Sequence, residues 1–105
     1  MVIKAPKLKW VMMINLHKPE KYIRDQLARA SFSIVLNIAE GSGKSSNNDR
    51  KNYFTIARGS VFECVAVLDI LREQEKISID VYALNLKLAD EISRMLFTMI
   101  RNLAK

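Results

Sequence analysis

The feature that most limits what this chain can fold into is a hydrophobic repeat of helical period, broken at Gly41 to Gly43 and again after Arg72. Ile23, Leu27, Ala30, Ile34 and Ile38 form one stripe ahead of the first break. A second stripe holds Tyr53, Ile56, Ala57, Ser60, Cys64, Val67, Leu68 and Leu71, and a third holds Val81, Leu84, Leu88, Ile92, Met95, Met99 and Leu103. Residues three and four apart share one side of an α-helix, whereas a half-buried strand alternates with period two, and no useful length of this chain does so. Amphipathic helices joined by short connections cover their apolar faces by folding back on one another. The fold class is therefore all-α, an antiparallel up-down bundle in a single domain over residues 1–105.

Boundary signals agree with this division. Pro19 suits a first helical turn, and Gly41 with Gly43 offers the left-handed conformation that ends helices. Ser46 can cap the next helix, with Asp49 at the positive end of its dipole, and Ser78 with Asp80 restarts the last one. Ala57, Gly59 and Ser60 make a small face that lets a neighbouring helix come close, compensating a mid-helix glycine that costs about 1 kcal/mol relative to alanine. Ahead of Pro19, Pro6 and the cluster Val2, Leu8, Trp10, Val11, Met12, Met13 and Ile14 give no clean stripe, so the first helix of a four-helix bundle is short or irregular, over about residues 7–16.

No apolar run approaches the roughly 20 residues needed to cross a bilayer. Cys64, the only cysteine, has no internal disulfide partner, which fits a reducing cytoplasm. Charge is the distinctive part of the composition: 17 lysines and arginines stand against 11 acidic residues, for a net +6. Lys4, Lys7, Lys9, Lys18, Lys21, Arg24, Arg29, Lys44, Arg50, Lys51 and Arg58 all precede residue 59, against Glu20, Asp25, Glu40 and Asp49. A basic end or face of this kind favours polyanions.

Catalytic patterns are missing. Gly43, Lys44 and Ser45 imitate the end of a phosphate loop, but its first glycine would fall on Ile38 and the preceding element is a helix rather than a strand. What survives is a set of amides and hydroxyls at Ser42, Lys44, Ser45 and Ser46 ahead of a helix N-terminus, able to hold a phosphate but equally a plain turn. His17 has no cysteine or carboxylate at metal-ligand spacing, and Glu40, Glu63, Asp69 and Glu91 lack the Glu-x-x-His pairs of a di-iron bundle. Cys64 has no basic neighbour to activate it. No enzyme activity, cofactor or metal is expected.

The strings SFSIVLNIAEGSGKSS (31–46) and YFTIARGSVFE (53–63) together resemble the four-helix-bundle family encoded within 23S rRNA intervening sequences, which carries an NIAEG turn after its second helix and an ARGS-type element in its third. The resemblance covers residues 19–104. It marks Asn37, Glu40, Gly41, Gly43, Arg58 and Gly59 as structural motif positions. That family is in turn similar to the accessory variability protein of diversity-generating retroelements, a ring-like pentamer that binds nucleic acid and a reverse transcriptase. The resemblance thus implies a homo-oligomer, a pentamer by that likeness, with RNA, RNA-DNA and reverse transcriptase as partners.

Two functions follow as expectations. In the first, a non-enzymatic, cytoplasmic bundle self-associates and binds structured RNA or RNA-DNA through phosphate contacts from Lys21, Arg24, Arg29, Lys44, Arg50 and Lys51, with little base readout because aromatic residues are not interleaved with those charges. In the second, it is a protein-interaction scaffold anchored by Trp10, Met12, Met13 and Phe62. Arg58 is expected to reach Glu40 or a carbonyl of the NIAEG turn and brace two helices, or else to contact phosphate from an exposed basic face.

Overall fold

The computed structural model describes residues 20–103. Among the described residues are three helices and no strand: α1 (Glu20–Ser42), α2 (Asn47–Glu73) and α3 (Ile79–Leu103). The all-α architecture is as the repeat predicts, while four helices are not seen; the helix expected over residues 7–16 lies outside the described residues.

The helix starts follow their capping residues. The Asp49 amide donates to Ser46 Oγ at 3.0 Å, and the Val81 amide to Ser78 Oγ at 3.1 Å, each satisfying one of the free donors of a first turn. Asp49 and Asp80 add negative charge at those positive ends.

The helix ends depart from expectation. No glycine among the described residues has a positive φ, so Gly41 and Gly43 do not end α1 by a left-handed turn. Gly41 is needed for room: a Cβ there would stand 2.7 Å from Phe54 Cε1 and 3.0 Å from Tyr53 Cβ. The chain leaves α1 when the Gly43 amide turns to the Ala39 and Glu40 carbonyls, both at 3.2 Å. The left-handed residue is instead Glu75, at φ 57°, just past α2. The Lys76 amide donates to the Leu71 carbonyl at 2.8 Å and the Glu75 amide to the Arg72 carbonyl at 3.0 Å, a Schellman closure without glycine. Arg24 and Arg72 fasten this corner through the Lys76 and Ile77 carbonyls, at 3.0 and 2.7 Å.

Contacts between helices give their order and direction. Ser31 meets Cys64 and Ser33 meets Ser60, while Asp69 meets Tyr82 and Arg58 meets Ser93, so each helix runs antiparallel to the next. The backbones of α1 and α3 each lie along α2 and nowhere beside one another. Helix α2 is accordingly the buried spine: Ala57, Val61, Val65 and Leu71 are fully enclosed. Burying a side chain such as Leu71 contributes about 1.5–3 kcal/mol. A polar seam sets the register of α1 on α2, where Ser33 and Ser60 hydroxyls pair at 2.8 Å and Asn37 Nδ2 donates to the Ser33 carbonyl at 2.8 Å.

The outer helices bury less of their stripes than the spacing implies. On α3 the inward residues are Ala89, Ser93 and Leu96, whereas Val81, Leu84, Leu88 and Met95 are exposed. On α1, Val35 and Leu36 are exposed beside the half-buried Leu27, Ile34 and Ile38. With α1 and α3 held apart, their apolar edges wall an open groove of about 250 Å³ between Val35 and Leu88, with Val61, Cys64 and Leu68 beneath. Cys64 donates to or accepts from Ser31 at 3.6 Å, and its burial raises its pKa, which disfavours the reactive thiolate. Gly59 does not serve close packing, since a Cβ there would meet nothing within 4 Å.

The two glycines should respond oppositely to alanine. Gly41→Ala overpacks against Phe54 at a cost of about 1–3 kcal/mol, only partly offset by helix propensity, and lowers the urea midpoint. Gly59→Ala gains about 1 kcal/mol of propensity with no clash and raises it.

A second outcome concerns Tyr82, whose hydroxyl donates a hydrogen bond to the buried Asp69 carboxylate. Burial, then that bond and the carboxylate charge, push the phenol up to about 12 from an ordinary 10.0. A raised acid pKa means the stabilisation is complete below the unfolded value and is lost as pH climbs through the folded one. Unfolding followed between pH ~10 and ~12 should show that loss. Tyr82→Phe should abolish the slope and lower stability at neutral pH by about 1–3 kcal/mol, the cost of a buried carboxylate left without its donor.

Candidate nucleic-acid interface

The six cations expected to contact phosphate do not form one patch. Lys21 and Arg24 sit at the start of α1, Lys44, Arg50 and Lys51 at the opposite end by the α1–α2 corner, and Arg29 between them. Four of the six are engaged within the chain. Lys21 pairs with Asp25 at 2.8 Å, which raises the lysine pKa, and Arg24 pairs with Glu20 at 2.7 Å, which lowers that carboxyl. Lys44 reaches Glu40 at 3.6 Å and lies 5.2 Å from the Tyr53 ring centre, while Arg50 donates to the Lys44 carbonyl at 2.6 Å. Arg29 and Lys51 have no side-chain partner among the described residues.

The Lys44 amide donates to the Gly41 carbonyl at 3.3 Å, and the Ser46 hydroxyl is taken by the Asp49 amide. Two of the four groups ahead of the α2 N-terminus thus serve the turn itself. The segment before Gly43 is helix, as the mismatch with a phosphate loop requires.

Arg58 takes a place that its sequence neighbours do not announce. It reaches neither Glu40 nor the NIAEG turn; its Nε points to the Ser93 carbonyl at 3.4 Å, bracing α2 to α3 rather than to α1. Its guanidinium carbon lies 5.1 Å from the centre of the Phe62 ring and 5.1 Å from that of Phe97. Arg101 in turn lies 5.8 Å from the Phe97 ring. The side chains make an alternating ladder of ring, cation, ring, cation across α2 and α3, each step within the range in which a cation is attracted by a ring face.

Helical spacing extends this face. Lys51 is two turns before Arg58 on α2, and Arg94 is one turn before Phe97 on α3, where it pairs with Asp90 at 3.1 Å. Arg58 and Arg101 have no carboxylate partner among the described residues. On this surface, among the described residues, two cations without a carboxylate partner alternate with two exposed rings. The signal for it was in the sequence as Arg-x-x-x-Phe at 58–62 and Phe-x-x-x-Arg at 97–101, spacings that put both members of each pair on one helical face.

Three members of the NIAEG and ARGS strings thus have partners within the chain: Asn37 in the α1–α2 seam, Gly41 under Phe54, Arg58 between two rings. A family model for the 23S rRNA-intervening sequence protein matches residues 9–98. The chain belongs to that family. No curated protein and no solved structure matches it. Membership agrees with the resemblance carried by the two strings; a likeness to the retroelement accessory protein is a separate matter that the family match does not reach. No helix among the described residues is long and apolar enough to cross a membrane, and no group of three metal-binding side chains occurs among them. Phe62, one of four expected protein anchors, is exposed in the ladder; Trp10, Met12 and Met13 lie outside the described residues.

Because Arg58 is held between the Phe62 ring of its own helix and the Phe97 ring of α3, Arg58→Ala should lower stability by about 1–2 kcal/mol in urea unfolding, at roughly 0.5–1 kcal/mol per contact. Arg58→Lys, which keeps charge but loses the plane that stacks, should recover less than half of that. Lys21→Ala, removing an exposed pair, should leave the unfolding midpoint where it is.

Proposed function

We propose that this member of the family is a non-enzymatic docking protein that self-associates and binds structured RNA or an RNA-DNA hybrid through phosphate contacts. The observation that supports it is the face of Lys51, Arg58, Arg94 and Arg101, on which three of four cations lack a carboxylate partner among the described residues, while Lys21 and Arg24 of α1 are paired with neighbours one turn away. Phosphates would supply the missing anions, and Arg29 with the corner lysines would extend the field. The groove between Val35 and Leu88 is apolar and open, a further surface available to self-association. Self-association, with five subunits as the number suggested by the retroelement likeness, would use the exposed Phe32, Leu36 and Ile56.

A rival reading keeps the same fold as a scaffold for a protein partner such as a reverse transcriptase, without direct nucleic-acid contact. The exposed Phe32, at 66% of its full accessibility, is the observation in its favour.

Salt separates the two. Four phosphate contacts give a slope of log affinity against log salt of about −3, so raising salt from roughly 50 to 200 mM should weaken binding of a structured RNA by about 60-fold. The double variant Lys51→Gln, Arg101→Gln should flatten that slope by about 1.5. An affinity indifferent to salt, or no binding to RNA, RNA-DNA or heparin, favours the scaffold.

A further inference from the structure

We propose that the Phe62–Arg58–Phe97–Arg101 ladder is a stacking platform for an unpaired base in a loop, bulge or single-stranded end of the bound RNA. The inference rests on the phosphate-binding reading above and adds to it the class of nucleic-acid element that this surface takes.

Three observations carry it. Phe62 and Phe97 keep 39% and 48% of their full accessibility although each is held against a guanidinium, so the ladder is fixed in place but not covered. Arg101, at one end, is exposed and lies 5.8 Å from Phe97, offering a planar cation over which a further ring can extend the series. Neither Arg58 nor Arg101 is spent on a carboxylate within the described chain, which leaves their charge for the phosphates flanking such a base.

The chemistry selects an unpaired base over a duplex. Bases in a duplex already have both faces stacked and offer a protein only edges and backbone, whereas an unstacked base presents a face that rings and guanidinium planes can cover. Stacking of this kind tolerates any base, since each has a π-face, so the platform confers a preference for exposed bases without a sequence preference. Arg58 is a positioning residue here: it sets the spacing of the two rings, and its own faces are already occupied.

The test compares the full-length protein on a hairpin RNA carrying 2-aminopurine in its loop, on a blunt duplex of equal phosphate number, and on heparin. The expected result is tighter binding of the hairpin than of the duplex, with quenching of the 2-aminopurine fluorescence on binding. Phe62→Leu and Phe97→Leu, both at exposed positions, should each weaken hairpin binding by about 5- to 150-fold and remove the quench, while duplex and heparin binding stay as they were. Arg101→Gln, which removes one exposed ring contact, should reduce the quench with a smaller fall in melting temperature than Arg58→Ala causes. Equal binding of hairpin and duplex, or a quench that survives both leucine variants, would overturn the platform and leave the phosphate reading standing. Failure to bind duplex, hairpin and heparin alike would overturn both.

Discussion

Everything in this structure depends on α2 being shared. Each outer helix packs along it and neither packs along the other, so the small and medium side chains of α2, Ala57, Val61 and Val65, are enclosed from two sides. Such a spine explains why Gly41 must have no side chain, why Asn37, Ser33 and Ser60 form a satisfied seam rather than a polar defect, and why Asp69 can be buried provided Tyr82 donates to it. It also leaves two consequences at the surface. One is the open apolar groove between α1 and α3. The other is a face where α2 and α3 meet edge to edge, and it is there that Arg58 is clamped between rings from both helices.

Charge is distributed by the same logic. Along α1 and just past it, acidic residues fall one turn from basic ones, at Glu20 with Arg24, Lys21 with Asp25 and Glu40 with Lys44, so these three cations are answered locally. On the α2–α3 face, among the described residues, only Arg94 is so answered. The net charge of the chain is a property of its composition, but where it can act on a partner is decided by these one-turn pairings. Exposed pairs of this kind contribute little to stability. Their larger effect is to leave Arg58 and Arg101 among the described cations without a carboxylate partner.

The fold was mostly legible from spacing because helices of this length announce themselves by period, and Ser46 and Ser78 cap where their hydroxyls predict. The details that escaped are those set by neighbours distant in sequence. Gly41 and Gly43 carry the residue type of a left-handed turn, yet Gly41 is selected by the Phe54 ring and the left-handed position falls on Glu75. Gly59 lies beside Ala57 and Ser60 but points away from the packing they make. The third stripe counted Val81, Leu84, Leu88 and Met95 as inward because periodicity shows that a helix has an apolar side, not how much of that side one neighbour can cover. For the proposed interface, clustering in sequence does not register that Lys21, Arg24 and Lys44 have acidic partners one turn away, while Arg101 and Phe97 lie in a second half whose charges nearly cancel. Only the pairing of α2 with α3 brings residues 58 and 62 against 97 and 101.

The most direct measurement is a residue-level footprint of a structured RNA on the full-length protein, by amide chemical-shift changes or hydrogen exchange. The account predicts changes concentrated on 51–62 of α2 and 94–101 of α3, with the Lys21 and Arg24 end of α1 unaffected. Changes centred on that end of α1, or on Phe32 and Leu36 with the α2–α3 face silent, would contradict it.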